Sequence, residues 1–380
     1  MMEFTINKDD LIACIDKCST AVPDPKHPTQ AFTVMLVDAT KKKSVRFAAV
    51  GEFCSVDTVA DADIKSGGSF NVKPRHLQTV ASSMPPGQIK FSLKGTRITV
   101  QSMVSKRKAS FENHTIDVRP VQDPGRDVAW KTVNAPELLR GLRVAKAAST
   151  WYGRVDPVAS LLIPTERGLN IFGCNMYLVA EVETSIQIDG GPIVMPASLS
   201  ALLAFMAPDD ENVNLFVDQH RIYMENCDTL VSAQLFDYKF LPNNNFQMCI
   251  NMMKSPLNTM GPVVSLPKLV TGAKSVLSCT VFAGDKERDS DYGVQLRAVF
   301  GESASLSLNL ADGDAKDEFP VVTPGSEIDC YISSRLFEQM LASFAGVEEV
   351  QVMRAVQDAT IMLVLSSPGI TYGLMTKEKR

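Results

Sequence analysis

The chain is short of the residues from which catalytic and metal sites are usually built. Histidine occurs four times, as His27, His76, His114 and His220. The eight cysteines are scattered singly; no CxxC pair occurs, and Cys14 with Cys18 has no second pair behind it. Zinc-ligand spacing is therefore missing, and no metal is expected. Isolated thiols of this kind suit a reducing cytoplasm. No GxGxxG follows a strand pattern, and neither GxxxxGK[ST] nor GxSxG occurs. The common phosphate cradles and the nucleophile elbow are thus absent, no cofactor is expected, and an enzyme is the weakest reading. The acidic run from Asp285 to Asp291 lacks the glycine and terminal glutamate of a calcium loop. His220 falls in the turn from Asp218 to Arg221, which reads as a hairpin tip. No uncharged apolar stretch approaches membrane-spanning length, and the first residues have neither a basic nor an apolar leader region. Basic charge is not in excess either: 43 acids against 38 bases leave a net charge of -5, which argues against a generally basic nucleic-acid binder but allows a local basic surface.

What the chain does have is self-similarity. A short strand, a helix starter and an apolar helical pattern recur at Phe4–Leu11, Thr132–Leu138 and Val263–Leu269, with Leu11, Leu138 and Leu269 spaced 127 and 131 residues apart. A second set recurs between them at Phe70–Leu77, Ile193–Leu199 and Tyr331–Leu336. Asn7, Asn134, Ser265 and Ser333 stand where a helix N-cap is needed, and Pro74, Pro136, Pro196 and Pro267 suit a first helical turn. Alternating strands follow each second helix, such as Ile89–Leu93 with Arg97–Val100. The expected fold is α+β: three similar domains, at residues 1–124, 125–253 and 254–380, each a duplicated unit with two helices on antiparallel sheets.

This ordered series of six half-repeats resembles the bacterial DNA sliding clamp, the beta subunit of the replicative DNA polymerase. The opening Met2-Glu3-Phe4-Thr5-Ile6, the stretch Asn71 to Phe91, Ile193 to Phe246, and the end from Gly325 to Met375 carry the resemblance. It implies a closed ring of two chains joined head to tail around duplex DNA, without sequence specificity. It also implies short peptide motifs on a polymerase and on clamp-loader subunits as partners, and no catalysis. A specialised paralogue, used in repair, in plasmid or phage replication, or as a scaffold, is the alternative. The ring contacts are expected at Ala81–Met84 and Lys106–Phe111 on one side, and at Val270, Val276, Leu277 and Tyr292–Leu296 on the other.

The polar helix faces suggest a DNA-facing set: Lys8, Lys17, Arg75, Arg140, Arg143, Lys146, Lys268 and Lys274. Bases there would touch phosphates and leave sequence unread, as sliding requires. Lys26 and the run Lys106-Arg107-Lys108 join this set through the resemblance. Lys41-Lys42-Lys43 reads instead as an outer hairpin turn. The resemblance also implies a partner-peptide groove from Pro157, Val158, Met176, Tyr177, Leu178, Pro242, Leu374 and Met375. Met176 and Tyr177 depart from the family's histidine and arginine, so the groove should differ in shape.

Overall fold

A computed structural model describes residues 2–22, 29–116, 118, 120, 123–149, 159–175, 177–196, 203, 212–237, 243–282, 293–310 and 313–376. The chain divides into two compact units, Met1–Leu139 with Ser198–Leu235, and Arg140–Ala197 with Phe236–Arg380. The expected boundaries near residues 124 and 253 both lie inside these units.

Unit one is built on a twelve-stranded sheet. Numbered in chain order, its strands are β1 (Met2–Asn7), β2 (Met35–Asp38), β3 (Ser44–Val50), β4 (Cys54–Ser66), β5 (Ser69–Val72), β6 (Gln88–Lys94), β7 (Arg97–Ser102), β8 (Lys108–Glu112), β9 (Lys131–Asn134), β14 (Asn212–Val217), β15 (Arg221–Glu225) and β16 (Thr229–Gln234). The main path runs β8-β7-β6-β1-β4-β16-β15-β14-β9. Alternation decides which face is covered: Met2, Phe4 and Ile6 point inward from β1, and the rings of Phe4 and Phe91 stack at 4.7 Å. Helices α1 (Lys8–Ala21) and α2 (Pro74–Ser83) cover this sheet with Leu11, Cys14, Ile15 and Cys18, and with Leu77 and Ala81. β4 is a shared strand. Its far half pairs with β1, and its first five residues pair with β16, Val56 opposite Val231.

Unit two has an eight-stranded and a four-stranded sheet. The larger contains β10 (Ala159–Thr165), β11 (Gly168–Cys174), β12 (Leu178–Thr184), β13 (Ile193–Pro196), β17 (Thr259–Ser265), β22 (Glu349–Gln357), β23 (Thr360–Ser367) and β24 (Ile370–Thr376), in the order β13-β10-β11-β12-β24-β23-β22-β17. The smaller contains β18 (Gln295–Phe300), β19 (Ser303–Leu310), β20 (Gly313–Pro320) and β21 (Ile328–Ser333), in the order β20-β19-β18-β21. β12 is buried at nearly every residue because both its faces are covered, so it shows no alternation in sequence. Leu178, Ala180 and Val182 face one apolar cluster, and Val179 faces another.

The helices are α3 (Ala135–Ser149), α4 (Asn243–Met253), α5 (Leu266–Leu277) and α6 (Ser334–Ala342). Asn7, Asn134 and Ser333 accept hydrogen bonds from first-turn amides, as expected. Ser265 and Lys73 make no such bond, and there a proline occupies the first turn. α4 was not expected, since the sequence reading sets a domain boundary at its end, but Cys249, Met252 and Met253 fall on one helical face and are buried. The helix expected near Leu199 lies mostly outside the described residues. Gly173 lets α3 approach β11 closely, since a Cβ there would lie 1.9 Å from the Ala145 carbonyl oxygen.

Candidate functional site

The expected DNA-facing bases fall into two groups. Three are engaged inside unit one. Lys8 Nζ donates to the carbonyls of Ser82 (3.2 Å) and Met84 (2.5 Å), and the Arg107 guanidinium donates to the Ser83 carbonyl. α2 has no base in its own last turn, so these two cations supply the positive charge that its C-terminal carbonyls lack. Lys17 bridges α1 to the β15–β16 turn through Asp228 (3.4 Å) and Thr229 Oγ1 (2.8 Å), with its side chain only 12% exposed. All three side chains are engaged by the protein itself, and Lys17 is the most enclosed of them. The double variant Lys8→Met with Arg107→Met is expected to lower the stability of unit one by about 1–2 kcal/mol, read as a lower midpoint in urea unfolding.

The second group lies at the surface. Arg140 and Arg143 are exposed on α3, and Lys146 follows half-buried one turn on; Leu138, Leu142 and Ala145 fill the opposite, buried face. Arg75 is exposed on α2, and Lys268 and Lys274 on α5. Lys106 and Lys108 are exposed at the β7–β8 turn and on β8. Lys26 lies outside the described residues. Lys41, Lys42 and Lys43 occupy the exposed turn between β2 and β3, as expected.

Of the groove residues, Pro157, Val158, Met176 and Pro242 lie outside the described residues. The other four come together on β12 and β24: Leu178 pairs with Leu374, and the Met375 amide donates to the Tyr177 carbonyl at 2.8 Å. Asn175 shapes the preceding turn by accepting from the Tyr177 and Leu178 amides, both at 2.8 Å. Leu178 and Leu374 are 1% and 0% exposed and pack in the apolar core of unit two. Tyr177 and Met375 keep exposed surface. Met375 packs against the buried cluster that holds Cys249, Met252 and Met253 of α4, as Met353, Ile163 and Phe236 also do, and the sequence pointed to none of these. Their signal was the period of α4, which reads Cys249, Met252, Met253 at helical spacing.

Beside this patch, Lys254 at the end of α4 reaches the buried Glu181 on β12 at 2.5 Å, and Asn170 donates to the same carboxylate at 2.7 Å. Burial raises the pKa of Glu181, and the lysine opposes that rise. Among the described residues, no group of three or more His, Cys, Asp or Glu side chains could hold a metal ion. No described helix is long and apolar enough to cross a membrane.

No family model matches the chain. Two curated proteins named beta sliding clamp are similar. That of Chlamydia muridarum is 22% identical over 244 residues, 63% of this chain and 66% of the relative. That of Chlamydia trachomatis is 21% identical over 245 residues, 63% of this chain and 58% of the relative. The aligned region thus spans less than two thirds of either relative. Solved structures match more fully. A DNA polymerase III beta subunit from Thermotoga maritima superposes with a TM-score of 0.82 at 15% identity, covering all of both chains. The DNA polymerase sliding clamp of Bacillus subtilis superposes at 0.80 and 14%, with the same coverage. The chain has the beta-clamp fold along its whole length, at identities that make it a divergent example.

Proposed function

We propose that this chain, folded as a beta clamp, is a DNA sliding clamp: two copies close head to tail around duplex DNA and hold a polymerase and other partners by short peptides. It carries out no reaction of its own. On this reading the chain is three repeats, and the observation that carries it is the pattern of paired and unpaired sheet edges.

Each repeat contributes two hairpin-linked sets of strands. The last strand of one set pairs with the last strand of the next repeat's second set: β4 with β16, and β12 with β24. Counted from the residue that closes each hairpin (Cys54, Thr229 and Leu178 by a backbone hydrogen bond, Ile370 by its pairing with Ser367), the third residue meets the third in both cases, Val56 opposite Val231 and Ala180 opposite Tyr372. The same rule leaves β20 at one end of the series and β8 at the other. Among the described residues, each pairs with one strand only. An edge of this kind invites a strand from another chain. Continuing the rule sets Ala109 of one copy opposite Ala315 of the next, and both are half-buried between exposed neighbours. The same register sets Arg107 opposite Asp317 and Lys106 opposite Glu318, with Lys108 opposite Lys316, so two opposite-charge pairs outweigh one like-charge pair. β20 replaces the contact expected at Gln295 and Leu296, because β18 lies between β19 and β21; Tyr292 lies outside the described residues. Ala81, Met84, Val276 and Leu277 are buried within their own units and are replaced in the same way. Sedimentation at micromolar concentration tests the assembly: a dimer of twice 41.5 kDa is expected, and a clean monomer overturns the ring.

The DNA-facing surface on this reading is Arg140, Arg143 and Lys146, with Arg75, Lys268 and Lys274. The recruitment surface is the apolar patch around Met375 and Tyr177. A peptide with two or three apolar anchors suits it, at micromolar affinity. Met375→Ala should weaken such a peptide by about 1–3 kcal/mol in calorimetric titration and leave the assembly unchanged. Equal affinities would place recruitment elsewhere.

A further inference from the structure

The layer between α4 and the large sheet of unit two is rich in sulfur. Cys174, Cys249, Met252, Met253 and Met362 are buried in it, and Met248, Met353 and Met375 pack against it partly buried. The sheet supplies two neighbouring cross-strand rows. One runs Cys174, Val179, Gly373, Val364, Met353, and the other runs Met375, Met362, Ala355. α4 lays Cys249, Met252 and Met253 over them from one helical face. Gly373 makes the room: a Cβ there would lie 2.2 Å from Met362 Sδ and 3.1 Å from Met253 Sδ. Two thioethers therefore meet above its backbone.

Leucine would fill such a layer with similar volume and hydrophobicity. What sulfur adds is reactivity toward oxidants. The two thiols are poor candidates, because burial pushes Cys174 up to about 12 and raises Cys249, keeping both protonated. A thioether needs no deprotonation. We propose that Met248, Met353 and Met375 form an oxidative modification site, at which a peroxide converts thioethers to sulfoxides and so loosens α4 from the sheet. The sulfur lone pair attacks one oxygen of hydrogen peroxide, the S–O bond forms and the O–O bond breaks. Sulfur loses two electrons, and the departing hydroxide takes the proton of the transferred oxygen, leaving the sulfoxide and one water. Each sulfoxide puts a polar S=O group at the edge of an apolar layer. Because Met375 also lines the proposed recruitment patch, oxidation lowers peptide affinity too; that second effect rests on the functional reading above.

The test treats the full-length protein with graded hydrogen peroxide and maps sulfoxides by mass spectrometry. Met103 and Met260, 56% and 53% exposed, serve as internal markers of dose. Once Met248, Met353 and Met375 are oxidised, amide exchange in α4 should quicken at least tenfold while exchange in α1 stays unchanged. The triple variant M248L/M353L/M375L should keep its α4 protection at the same dose, and methionine sulfoxide reductase should restore it to the wild type. Unchanged α4 exchange with all three residues oxidised overturns the proposal. So does resistance of these three at a dose that oxidises the buried Met2 and Met35. A fluorescent heptapeptide carrying two leucines and a phenylalanine gives the second readout. If the untreated protein fails to bind it, the recruitment reading falls, and the exchange result still decides the modification site.

Discussion

Ala109→Asp turns the assembled protein into a monomer near 41.5 kDa at micromolar concentration. β8 is an edge strand whose outward charges leave Ala109 and Phe111 as its half-buried positions. If β20 of a second copy pairs there with Ala315 opposite Ala109, a carboxylate at residue 109 replaces a methyl group packed against a methyl group and sits diagonally across from Asp317. Burying such a charge in a seam that leaves some access to water should raise the dimer dissociation constant about 100-fold, or about 2.7 kcal/mol. Ala315→Lys alone should disperse the dimer as well. The two changes together place a lysine opposite the aspartate, and the dimer should return. Analytical ultracentrifugation of the two single variants and the double variant measures this cycle. A monomeric double variant with both units folded would show that the register, or the seam itself, lies elsewhere.

Replacing Arg140, Arg143 and Lys146 together by alanine flattens the salt dependence of binding to circular duplex. Each phosphate contact contributes about 0.9 to the slope of log affinity against log salt. Losing three should reduce it by about 2 to 3 units, whatever the base sequence. The basis is the geometry of α3, where residues three apart carry bases and the intervening apolar residues face the sheet. A salt slope identical to that of the wild type would remove this helix from the DNA surface. Short linear duplexes should retain the protein poorly in either form, because the proposed ring would slide off an open end.

The repeated helices were legible because their information is local. Asn7, Asn134 and Ser333 cap where the sequence places caps, and the period of Leu336, Phe337, Met340 and Leu341 sets the buried face of α6. Hairpins such as β6–β7 were legible from alternation across a short turn. The site was harder. Lys8, Lys17 and Arg107 read as surface cations because their acceptors are remote in sequence; Lys17 meets residues more than 200 positions away. Leu178 and Leu374 read equally well as groove or core, since a strand covered on both faces carries no alternation to separate the two. β20 was passed over because Gly313-Asp314-Ala315-Lys316 has weak strand character, and an edge is defined by pairing order. α4 was hidden by its polar first turn, and with it the methionine layer beneath.

β4 has a consequence for how the chain is made. Its first five residues are completed only by β16, with Ser55 and Ser232 hydroxyls 2.7 Å apart and those of Thr58 and Thr229 2.8 Å apart. Those partners lie 171 to 177 residues further along. At a synthesis rate of about 5 to 20 residues per second, that half of β4 waits about 10 to 35 s on the ribosome before its neighbour exists. During the wait it is an open template with the apolar Val56 at its centre, and the ion pair of Arg46 with Asp57 across β3–β4 is the charge that guards it. A nascent chain stalled near residue 124 would therefore be a sticky species, so the first third of this protein should need either rapid elongation or a chaperone to stay soluble.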